Sequence, residues 1–143
     1  MDDETHKLTR QQRQFAERTA QFAADHPGAV VVRTQVGSSY SRGRSGVIQG
    51  LGMFLSQPRR GHLIADETGI RMMQGLDDTE WVRTWREVTT VEETGHAPRL
   101  LKVDAVGFHA PKLYVLCKPT GDTLPAHEVS GVIGALRRLA GRR

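Results

Sequence analysis

The sequence predicts an α+β fold: about seven antiparallel strands in a curved sheet or partly open barrel, capped by a carboxyl-terminal helix and preceded by an amino-terminal one. Three observations predict it. Residues 61–93, GHLIADETGIRMMQGLDDTEWVRTWREVTTVEE, read as a hairpin feeding two more short strands. Residues 99–118 hold two further alternating runs split by GFHAP. Residues 125–139 place Val129, Val132, Ile133 and Leu136 on one helical face.

From the amino terminus, residues 8–25 are rich in Gln, Arg, Glu and Ala and lack Gly and Pro. Thr9 with Gln12 three residues on forms a capping box. Phe15, Thr19, Phe22 and Ala23 make a narrow apolar stripe, which predicts docking onto the sheet rather than a coiled coil. His26-Pro27-Gly28 stops the helix, because proline disfavours the helical region at the residue before it. AVVVRTQV, residues 29–36, is a strand. GSSYSRGRS, residues 37–45, is a loop. Residues 46–55, GVIQGLGMFL, carry three glycines between basic flanks, and their secondary structure stays open.

Leu63 to Asp66 and Ile70 to Met73 are the two hairpin arms, with Gly69 where a tight turn would need positive φ. Trp81 and Trp85, four apart on an uninterrupted strand, would share a face and pack. Leu101, Val103 and Ala105 point one way while Leu100, Lys102 and Asp104 point the other, and Leu113, Val115 and Cys117 share one face of the last strand. The last helix has Thr123 as its cap, Pro125 in the first turn, Arg137 and Arg138 near its end and Gly141 as its stop.

The chain of 143 residues suits one domain with a real core. Mean hydropathy of −0.44 fits a soluble globular protein. MDDETHKLTR has no apolar signal core, which argues for a cytoplasmic location. The single cysteine, Cys117, excludes an internal disulfide and reads as a buried structural thiol. The net charge of +4 and a pI near 9.7 favour anionic partners. The sixteen arginines against four lysines decide nothing alone, because a GC-rich genome gives the same excess without a ligand.

GHLIADETGIRMM, EWVRTWREVTTVEE, RLLKVDAVGFHAPKLYVLC and the terminal helix together resemble the bacterial pleckstrin-homology-like (PH-like) and GRAM-like domains. In that group a G-x-L hairpin precedes a Trp-bearing strand, and a W…V…V-E pattern follows. The resemblance covers roughly residues 29 to 140. It divides the chain into an amino-terminal helical extension, 1–28, and a PH-like domain, 29–141. It also implies a binding module, with a basic residue on the first strand and a basic-x-basic pair beyond it; Arg33 and Arg42-Gly43-Arg44 match that spacing loosely.

Read from the residues themselves, Arg33, Arg42, Arg44, Arg59 and Arg60 surround segment 37–60 as a candidate anion-binding set. Val47, Ile48, Leu51, Met53 and Phe54 between them form a candidate interface, inserted into a membrane boundary, buried at home, or packed against a protein. The partners expected are a protein or anionic lipid headgroups, with peripheral attachment to the inner face of the membrane. A sequence-independent nucleic-acid binder and a homo-oligomer assembling through residues 47–54 are the alternatives. No phosphate-loop, H-E-x-x-H or paired-cysteine motif occurs, so no enzyme activity, metal or cofactor is expected. His62 and Asp66 on one strand would stand about 13 Å apart, too far to pair. An enzyme would need His62, His109 and Asp104 to converge in the fold.

Overall fold

The computed structural model describes residues 9–36, 59–95 and 99–141. Helix α1, Arg10–Asp25, starts as its capping box requires. The Gln12 amide donates to Thr9 Oγ1 at 3.0 Å, and the Thr9 amide donates to the Gln12 side chain at 2.8 Å. Two of the orphan donors of the first turn are thereby satisfied. The His26 amide closes the last turn on the Phe22 carbonyl, and Gly28 turns the chain with φ 84°.

Seven strands follow: β1 Val30–Val36, β2 Arg59–Ala65, β3 Gly69–Gln74, β4 Asp78–Thr84, β5 Val88–Thr94, β6 Leu100–Ala105 and β7 Lys112–Cys117. They form one curled antiparallel sheet in the order β4-β3-β2-β1-β7-β6-β5. Strand β1 joins its two halves. It pairs with β2 from Val30↔Ala65 to Val36↔Arg59, but with β7 only through Arg33, Thr34 and Gln35. Helix α2, Ala126–Ala140, closes the chain.

Because side chains alternate along a strand, the register sorts residues between two faces. Val32, Leu63, Met72, Trp81, Leu101, Val103 and Leu116 belong to the inner core, and α2 inserts Val129, Ile133 and Leu136 among them. Leu63, Leu101, Leu116 and Leu136 are wholly buried. Removing such a side chain from water contributes about 1.5–3 kcal/mol, so this face dominates the fold's stability. On the outer face α1 sets Phe22 against Ile64 and Met73. The expected docking of the first helix is therefore present. Cys117 is buried as read, and that burial pushes its thiol pKa up.

Three local expectations are corrected. Trp85 does not continue β4; it opens a single 3₁₀ turn, Trp85–Glu87, in which the Thr84 amide donates to the Glu87 carboxylate at 2.8 Å. The turn aims the Trp85 indole N–H at the Asp66 carbonyl, 2.6 Å away. Gly69 does not have positive φ. The β2–β3 turn is built instead by the Asp66 carboxylate, which accepts from the Thr68 amide and hydroxyl and from the Gly69 amide. Glycine is needed there because a Cβ would strike the Arg83 carbonyl oxygen. Thr123 does not cap α2, whose cap position is Pro125. It lies instead in a short bridge to Cys117, next to the bond from the Leu124 amide to the Leu116 carbonyl.

Candidate functional site

The end of the sheet where β1 stops and β2 begins carries the described part of the basic set. Arg59 and Arg60 stand opposite Val36 and Gln35 in the β1–β2 register. Arg59 is exposed and Arg60 half-buried. The Arg60 carbonyl accepts from the Gly75 amide at 2.7 Å, which fixes the β3–β4 turn against this corner. Between that corner and the first turns of α1 lies an open hollow of about 590 Å³. Gln14, Phe15, Arg59, Arg60, Gln74 and Leu76 line it, and Asp78 stands in its wall. It offers two cationic forks and several amides above an apolar floor, a donor-rich surface suited to oxyanions.

Arg33 lies elsewhere. It is 4% exposed, on the outer face of β1 beneath α1. Its guanidinium sits 4.6 Å from the Phe15 ring centroid and donates to the Pro119 carbonyl at 2.7 Å. Burial is the main influence lowering its pKa. A fork held between an aromatic face and a carbonyl is engaged inside the protein, so Arg33 does not join Arg59 and Arg60 as an open ligand. Arg42 and Arg44, with Val47, Ile48, Leu51, Met53 and Phe54, fall outside the described residues.

Next to Arg33 is a group whose setting the sequence reading missed. His62 on β2 is paired in register with Arg33 on one side and Met73 on the other. It is completely buried. The Phe15 ring stacks at 5.8 Å between centroids, Phe22 meets it edge-on at 5.1 Å, and Thr19 Oγ1 lies 2.7 Å from Nε2. Burial above all, then the charges of Arg33 and Arg18, pushes its pKa down to about 4. One signal could have located it. The stripe Phe15, Thr19, Phe22 needs a matching sheet face, and β2 alternation puts His62 with Ile64 opposite Leu63.

His62, Asp104 and His109 do not converge. Strands β2 and β6 are separated by β1 and β7, three strand spacings or about 14 Å. Asp104 accepts from the Ala105 amide at 2.9 Å, and His109 is exposed in the turn before β7. Among the described residues no helix is long and apolar enough to cross a membrane. Comparison with known proteins finds no family model and no curated protein that matches the chain.

Proposed function

We propose that the chain is a non-enzymatic binding module of PH-like type that engages an anionic membrane surface through segment 37–60. The observation that carries this reading is the Arg59–Arg60 corner, open to solvent beside a donor-lined hollow. In sequence, these two arginines end the segment that also contains Arg42 and Arg44. Each basic residue held near an anionic surface contributes roughly 1 kcal/mol, so four acting together would hold the module at the membrane in cellular salt. Such a module would sit peripherally, at the inner face.

Vesicle sedimentation tests it. Vesicles containing anionic phospholipid should carry the protein down and neutral vesicles should not. The double variant Arg59→Glu/Arg60→Glu should lose about 2 kcal/mol or more of the attraction, a drop of roughly thirtyfold. A salt-titrated shift assay with DNA and RNA runs beside it. Tight nucleic-acid binding without vesicle binding would replace this reading, and binding of neither would leave a protein partner as the class to pursue.

A further inference from the structure

We propose that α1 is an acid-released latch: protonation of His62 beneath it undoes its docking and frees the outer face of β1, β2 and β3. Both aromatic anchors of α1, Phe15 and Phe22, rest on the His62 ring, so the helix is seated on a titratable group. Thr19 Oγ1 donates its single hydrogen to the Phe15 carbonyl one turn back, at 2.8 Å. The tautomer with its hydrogen on Nε2 satisfies both contacts of that hydroxyl, donating toward it at 2.7 Å, and leaves Nδ1 bare. That Nδ1 is buried and has no hydrogen-bond partner among the described residues.

A proton added there meets no acceptor among the described residues, and the described charges that act on it most are the cations Arg33 and Arg18. From β1, Arg33 stands directly across; from α1, Arg18 lies 4.4 Å over the Phe22 ring; on β2 itself, Arg60 is two residues away on the same face. Strand β3 presents Met73, and β7 presents the buried Cys117 opposite Arg33. The nearby acid, Asp77, is 77% exposed and pairs with Arg18 at 2.8 Å. Charged imidazole is thus accommodated only with α1 lifted and water admitted.

The sign follows from linkage. An opened His62 titrates near its ordinary 6.5 and the covered one near about 4, so docking is at full strength above 6.5 and is lost progressively as pH falls between the two. Release would uncover protonated His62 and Arg33 over Ile64 and Met73, a basic surface with an apolar floor.

Hydrogen exchange on the full chain tests the latch. With those two values, the opening of α1 rises about 20-fold between about pH 7 and about pH 5, and protection factors of the α1 amides should fall by that ratio. The amides of β5, β6 and β7 should not follow. His62→Phe keeps a ring under the helix but cannot be protonated, and should abolish the pH dependence. Wild-type protection that stays level, a fall shared equally by β5–β7, or an unchanged 20-fold effect in His62→Phe would each overturn the proposal. Should that variant not fold, the His62 ring proton signal decides on wild-type protein. A ring neutral well below 6 while α1 is docked supports the latch, and titration near 6.5 with α1 still docked overturns it.

Discussion

Replacing Tyr114 with phenylalanine deletes one oxygen from the middle of the inner core and leaves the ring in place. Tyr114 is 2% exposed and Trp81 6%. The Trp81 indole N–H donates to the Tyr114 hydroxyl at 2.8 Å, linking β4 to β7 across the curl of the sheet. Burial drives the phenol pKa well above its ordinary value, so the hydroxyl is neutral at every pH of interest. Tyr114→Phe strands a buried indole donor, which costs about 1–3 kcal/mol. Trp81→Phe strands the hydroxyl and also removes apolar area, so it should cost more than the bond alone. The double variant removes both partners, and its destabilisation should fall short of the sum by about 1 kcal/mol. Urea unfolding followed by fluorescence and by far-ultraviolet circular dichroism measures all three, provided the two probes coincide. Tyr114→Phe within about 0.3 kcal/mol of wild type, or strict additivity in the cycle, would refute the idea that this bond is made and dry.

Three other substitutions read different parts of the fold. Gly61→Ala would place a Cβ against the Met73 carbonyl oxygen across the β2–β3 pair, backbone on backbone, and should lower stability by about 2 kcal/mol or more in urea. Gly131→Ala in α2 meets nothing within 4 Å and should raise it by about 0.5–1 kcal/mol, so the two glycines separate crowding from helix propensity in one assay. Thr9→Ala removes the side chain that caps α1 and should cost about 1 kcal/mol, seen as weaker exchange protection confined to the first turn of that helix.

The elements with strong periodicity were legible because a single rule governs each. Alternation along β6, the capping box at Thr9 and Gln12, and the stripe Val129, Ile133, Leu136 all lead directly to what the fold contains. Strand β7 instead buries both faces, Tyr114 and Leu116 in the inner core and Leu113, Val115 and Cys117 with Leu100 in a second cluster. Misreadings arose where a tertiary contact outweighed the local rule. Four-residue spacing of Trp81 and Trp85 suggested one strand, but the Thr84–Glu87 bond winds the chain into a 3₁₀ turn. Gly69 looked like a positive-φ residue because the tightest hairpins demand one. Its actual constraint is the neighbouring β4 backbone, which no local pattern records.

Of the five arginines, spacing could gather them along the sequence but could not tell which faced outward. Arg33 alternates onto the face that α1 covers and is engaged by Phe15 and Pro119, whereas Arg59 and Arg60 remain at the rim. Burial of His62 depends on two elements some forty residues apart meeting, so the isolated β2 pattern was silent about it.

The binding-module reading stands or falls on where an anionic surface touches the chain. Amide chemical-shift mapping with anionic phospholipid micelles, against zwitterionic ones, locates that contact. Shifts at Gln35, Arg59, Arg60, Gln74 and Gly75, present with the anionic micelles alone, are the expected result. Shifts gathered instead along β5 and the Arg137 end of α2, or alike for both headgroups, would contradict it.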